Sequence, residues 1–141
     1  MYQKDYILRM VEMLGEFIAA ILSLIKKGNF KQAAQMLNHV YYYMLRKDAS
    51  FFQNIPIDEL TGTLIKEHNY TNGHLEILAE LFYAEAELQY AQGKHDGSLI
   101  YYMKSLKIFE FIEKEYKSFS VDRQTKMAYV KGQISEINQK L

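Results

Sequence analysis

The residues best suited to hold a metal or move a proton are four histidines, His39, His68, His74 and His95. A metal needs three or four ligands converging at defined spacing. Glu67, His68 and His74 are near one another, but no His-Glu-x-x-His pattern exists and Gly73 interrupts the helix between them. We read these histidines as surface or capping residues, and expect no metal ligand. The run His95-Asp96-Gly97-Ser98 sets His, Asp and Ser side by side. A nucleophilic triad is assembled from distant positions, so this run reads as the start of a helix. Glu85 and Glu87 point about 200° apart on a helix and cannot act as paired carboxylates. Glu76 and Glu80 share a face and read as solvated surface. A Gly-rich phosphate loop and a nucleophile elbow are both absent. The expectation is a non-enzyme with no catalytic residue, no metal site and no cofactor.

Tyrosine is the unusual component, with 12 residues, three of them consecutive at Tyr41, Tyr42 and Tyr43. Consecutive residues face different sides of a helix, so some rings must fill the core while others stay at the surface or an interface.

Composition bounds the rest. The 141 residues suit one domain able to bury a core, and 49% apolar with 24% charged residues is an ordinary globular balance. Seventeen basic and 17 acidic residues give zero net charge, so neither nucleic acid nor an anionic membrane is an expected partner. Cysteine is absent, which removes disulfides and thiol catalysis and is compatible with the cytoplasm, where we expect the protein. The uncharged run Phe17 to Ile25 is nine residues, whereas a membrane span needs about 20. Acidic Asp5, Glu12 and Glu16 precede it, unlike the basic start of a signal peptide, so it reads as a buried helix.

The elements that would position these residues are helices. Pro56 is the single proline, and apolar residues recur at spacings of three and four. The spacing predicts a hairpin over 3–46, an irregular connection and short helix over 47–73, a second hairpin over 74–117 and a capping helix over 121–141. Gly28 and Gly93 mark the two hairpin turns. Asn29 with Gln32 has the form of a capping box, Asp96 is placed to cap the fourth long helix, and Ser118, Ser120 and Asp122 mark the last break. Met127, Val130, Ile134, Ile137 and Leu141 form a narrow apolar seam on the last helix.

Gly28 and Gly93 lie 65 residues apart, close to two lengths of a 34-residue helical repeat. The stretch Ala79 to Glu110 resembles a tetratricopeptide repeat. Phe82 sits at the large aromatic position, Ala86, Ser98 and Ser105 at the small positions, Gly93 at the turn and Tyr102 at the second aromatic. Gly28, Ala33, Leu37 and Val40 align the same way. Ile21 and Gln89 depart from the pattern, and no proline closes either unit. The opening residues also resemble a family of small bacterial proteins of unknown function with tetratricopeptide-like character. The resemblance implies an all-α fold of five or six helices, antiparallel hairpins in a short right-handed stack. It implies a protein or peptide partner on an inner face of Glu80, Tyr83, Glu87 and Tyr90, an acidic and aromatic stripe suited to a basic or amphipathic segment. The matching positions of the first unit are Gly15, Ile18, Leu22 and Ile25. The apolar circumference of the first helix suggests a homodimer contact through Ile18, Leu22 and Ile25. The expected function is a non-catalytic protein-interaction module; the alternative is a sensor holding a small molecule or peptide between helices, in a closed apolar pocket.

Overall fold

The structure is a computed structural model that describes residues 2–117 and 119–141, with side chains from Lys4 onward. Ser118, expected in the last break, lies outside the described residues. The described chain is all-α: α1 (Tyr2–Lys26), α2 (Phe30–Leu45), α3 (Ala49–Gln53), a 3₁₀ turn (Ile57–Glu59), α4 (Leu60–His68), α5 (Asn72–Ala91), α6 (His95–Tyr116) and α7 (Val121–Lys140). The predicted connection over 47–56 contains the short helix α3, which seats Phe52 in the core. None of the described helices is long and apolar enough to cross a membrane.

The two hairpin turns are alike bond for bond. Gly28 has φ +80° and Gly93 has φ +78°, the left-handed conformation that a side chain resists. Gly28 N–H donates to the Ile25 carbonyl at 3.0 Å and Asn29 N–H to Leu24 at 2.9 Å; Gly93 donates to Tyr90 at 3.0 Å and Lys94 to Gln89 at 2.9 Å. This is the Schellman closure, in which the last free carbonyls of one helix find donors as the chain reverses. The second helix of each pair then starts without a side-chain cap. Asn29 and Lys94 occupy the N-cap positions with no side-chain hydrogen bond, so the box expected of Asn29 and Gln32 is not formed, and Asp96 lies inside the first turn.

Helix α5 is the centre of the molecule. Helices α1, α2 and α6 all pack against it, and it is buried nearly all round. The segment Phe17 to Ile25 of α1, expected to be covered on every side, instead leaves Ala19 exposed and Phe17, Leu22, Leu24 and Ile25 half-buried. Close approach to α5 depends on small residues. Ala79, Ala86, Ser98 and Ser105 are fully buried. The Ser98 hydroxyl donates to the Ala86 carbonyl at 2.9 Å, and Ser105 to Ala79 at 2.8 Å, which satisfies two hydroxyls where bulk would separate α5 from α6. On the α1 side, a Cβ on Gly73 would lie 2.5 Å from Ile7 Cγ2. Asn72 and Gly73, placed ahead of the second hairpin by the sequence reading, form the first turn of α5, with the left-handed Asn69 ending α4 ahead of them.

The tyrosines divide between core and surface. Tyr41 and Tyr102 are buried, Tyr42 and Tyr129 exposed, and Tyr43 half-buried. Tyr41 stacks on Phe52 with ring centres 5.8 Å apart and tilts against Phe82 at 6.5 Å. Helix α7 packs on α6, with Met127, Val130 and Ile137 of its seam buried; Ile134 is half-buried and Leu141 is exposed.

A groove over the central helix

A groove of about 720 Å³ runs over α5 between α1 and α7. The α1 wall is apolar or small: Val11, Leu14, Gly15, Ile18, Ala19 and Leu22. Helical spacing of three and four puts them on one face, and Gly15 and Ala19 leave that face open to solvent. A Cβ added at Gly15 would meet nothing within 4 Å. The α5 side presents Glu76, Glu80 and Tyr83, and the α7 side Asp122, Arg123, Lys126 and Tyr129.

Charge is distributed unevenly across the groove. Lys126 pairs with Glu80 and lies 4.7 Å from the centre of the Tyr83 ring. Arg123 pairs with Glu113 of α6. Among the described residues neither Glu76 nor Asp122 is engaged in an ion pair, so the groove keeps a surplus of negative charge. Burial pushes the Glu76 carboxyl above its usual range, against the pull of Arg123 and with the push of Glu80.

The four stripe residues separate into two pairs. Glu80 and Tyr83 line the groove. Glu87 and Tyr90 are engaged by α7: Glu87 accepts the Tyr129 hydroxyl at 2.9 Å and also the Tyr102 hydroxyl of α6, while Lys140 donates to the Tyr90 oxygen at 3.1 Å. Half of the stripe is thus occupied by α7 of the same chain. Desolvation raises the Tyr102 and Tyr83 hydroxyls well above their ordinary range, and Tyr129 rises to about 12 for the same reason, with Glu87 adding to the shift.

The residues expected at a homodimer contact also part company. Ile18 is 5% exposed and belongs to the core of its own chain. Leu22 and Ile25 are half-buried against that core. Packing of α1 on α2 and α5 buries Ile18 and covers Leu22 and Ile25 in part. Leu22 also lines the groove.

Histidine chemistry is local. His74 closes a capping box at the start of α5: Thr71 N–H donates to His74 Nδ1 at 3.1 Å, and the Thr71 hydroxyl lies 2.9 Å from the same nitrogen. That role requires an unprotonated Nδ1, and burial lowers the His74 pKa accordingly. Among the described residues no group of three or more His, Cys, Asp or Glu could hold a metal ion.

Sequence reasoning missed one polar cluster, buried between α2, α3, α5 and α6. Glu85, 6% exposed, accepts Gln53 Nε2 at 2.8 Å, with the buried Tyr41 hydroxyl beside it. Lys104, 5% exposed, donates to the Gln53 carbonyl at 3.0 Å and lies over the Phe82 and Tyr101 rings. Desolvation raises Glu85 to about 7 and lowers Lys104. Such shifts often mark active sites. Neither Glu85 nor Lys104 lines the groove, and their hydrogen bonds to Gln53 tie α3 to α5 and α6. Its only sequence trace is that Glu85 interrupts an apolar helix face.

No protein-family model, no curated protein and no solved structure matches this chain.

Proposed function

We propose that the protein is a non-catalytic interaction module whose groove over α5 binds an amphipathic helical segment of a partner protein, apolar on one side and basic at its edge. The observation that carries this reading is the groove itself. One wall is an apolar helix face thinned by Gly15 and Ala19, and the other sides carry aromatic rings and unpaired carboxylates. Helix-in-groove recognition uses anchors at spacings of three and four against a surface of this kind. The α7 helix supports it from within the chain, since Lys126, Tyr129 and Lys140 meet the acidic and tyrosine groups of α5 as a partner segment would. The resemblance of the two hairpins to tetratricopeptide repeats, whose stacked helices present binding surfaces, points the same way. The same reading has the module at work in the cytoplasm.

A sensor with a ligand between its helices would call for a closed apolar pocket. The groove instead includes exposed Gly15, Ala19, Asp122, Thr125 and Tyr129 along its edges, which favours a macromolecular segment. Selection from a library of displayed helical peptides tests the proposal. Enriched sequences should carry an apolar i, i+3, i+4, i+7 face with flanking Lys or Arg. They should lose binding to Gly15→Leu, which fills the groove from a position with open space above it. Enrichment of acidic or patternless peptides, or equal binding to Gly15→Leu, would contradict it.

A further inference from the structure

A second cavity, of about 560 Å³, continues the groove toward the start of α1. Val11 and Glu76 line both, so the two make one trough along α1 and α5. The helices run side by side beneath it. A Cβ on Gly73 would lie 2.5 Å from Ile7 Cγ2 and 3.5 Å from Val11 Cγ2, and further along Gly15 and Ile18 share the groove with Glu80 and Tyr83. On α1 the trough follows Leu8, Val11, Gly15, Ile18 and Leu22, spaced 3, 4, 3 and 4. Such a seam is what one helix presents to another. Its own chain covers it incompletely: Leu8 is 54% exposed, Gly15 is exposed, Val11 and Leu22 are half-buried, and only Ile18 of the five is buried. A single exposed leucine is ordinary on a protein surface, but Leu8 stands in register with the groove wall. At about 1.5 Å per residue the seam is about 21 Å long.

Glu76 marks the junction of the two cavities. It is half-buried, and among the described residues it makes no ion pair. Arg123, the cation that acts on it, is paired with Glu113. Asp122 lies in the first turn of α7, where a carboxylate suits the helix dipole. Glu76 lies past the first turn of α5 and has no such account. We infer that the groove and this second cavity are one docking site for a single partner helix of about four turns, whose apolar face carries one Arg or Lys at its middle, set against Glu76. This rests on the reading of the groove as a helix-binding surface, and adds the length and the register. One charge inside an apolar seam fixes register, because a helix shifted by a turn leaves both charges unpaired. A second copy of α1 does not meet the requirement, since its seam of Leu8, Val11, Gly15, Ile18 and Leu22 holds no cation.

The test uses the full chain in amide NMR titrations with three lysine-flanked amphipathic helical peptides. A long peptide of about five turns carries arginine in the middle of its apolar face. A second is the same length with norleucine at that position. A third is cut to about three turns and keeps the arginine near one end. The long arginine peptide should bind tightest, with saturable shifts at Leu8, Asn72 and Gly73 as well as at Gly15, Ala19 and Tyr83. Leu8→Asp, on an exposed position, should weaken the long peptides about tenfold and leave the short one unchanged. Glu76→Gln should weaken the arginine peptides about tenfold and leave the norleucine peptide as tight or tighter. Equal binding of long and short peptides, with shifts ending at Val11, would overturn the continuous site while the shorter groove still bound a helix. Equal binding of the arginine peptide to Glu76→Gln and to the unaltered protein would overturn the register. A dimer of the chain itself that Leu8→Asp dissolves would give the seam to a second copy and overturn the assignment. If no peptide saturates, the function proposed for the groove fails together with this inference.

Discussion

Glu85 and His74 are buried titratable groups whose effects on stability run in opposite directions with pH. The Glu85 carboxyl moves from an ordinary 4.5 to about 7 because burial penalises its charge. A raised folded-state value means that its favourable contribution is complete below pH 4.5 and is lost as pH rises towards 7. Glu85→Gln keeps an acceptor for Gln53 and removes the titration. The difference in stability between variant and unaltered protein should therefore grow in favour of the variant from pH 4.5 to 7, by on the order of 1–3 kcal/mol, and then level off. Denaturant melts at four or five pH values would measure it, and a difference independent of pH would refute the assignment. His74 runs the other way. Its folded value lies below the ordinary 6.5, so the capping bond is fully present above pH 6.5 and is lost as pH falls. His74→Gln, with the usual side chain of a capping box, should keep most of the stability at pH 8 and lose less than the unaltered protein on going to pH 5. His74→Ala should lose about 1 kcal/mol at pH 8. Thermal melts of the three proteins at the two pH values would decide.

At the scale of elements, two glycines test how the helices meet. Gly73→Ala drives a methyl against Ile7 Cγ2, on a stiff branched side chain in the core, and should cost about 1–3 kcal/mol. Gly97→Ala meets only the amide end of Gln89, which can rotate away, so helix propensity should decide and leave the change neutral or stabilising. Urea midpoints of the two variants should fall on opposite sides of, or clearly apart around, the unaltered value. Removing Met127 to Leu141 would bare Tyr83, Ala86 and Tyr102, which form one cluster with Val130 and Ile137. The truncated chain should aggregate on heating where the full chain does not; unchanged solubility and melting temperature would contradict this. The helices and both hairpin turns were legible in the sequence, because spacing, Gly28 and Gly93 are local signals. The capping box of Thr71 and His74 was missed because its third position usually carries Glu or Gln. The central place of α5 was missed because Glu85 disguises a helix buried all round, while Phe17 to Ile25 of α1 looks more apolar than its surroundings require. Glu80, Tyr83, Glu87 and Tyr90 all lie on α5, as their spacing indicates, yet no spacing within α7 says that it will lie across Glu87 and Tyr90.

For the whole molecule, the proposed function makes α1, α5 and α7 one recognition surface. Gly15 and Ile18 on α1 correspond to Glu80 and Tyr83 on α5 across the two hairpins, and all four line the groove. Helix α7 supplies the third side, so binding should be read out on all three helices together. An excess of unpaired carboxylate there should make association weaken with added salt, since partly exposed charges are screened. The most direct measurement is an amide NMR titration with a lysine-flanked amphipathic helical peptide and with a glutamate-flanked peptide of the same apolar face. The lysine peptide should produce saturable shifts at Gly15, Ala19, Glu80, Tyr83 and Tyr129, weakened by salt and abolished in Gly15→Leu, while the glutamate peptide should bind at least about tenfold more weakly. Equal binding of the two peptides, or saturable shifts that leave these five positions unmoved, would contradict the account.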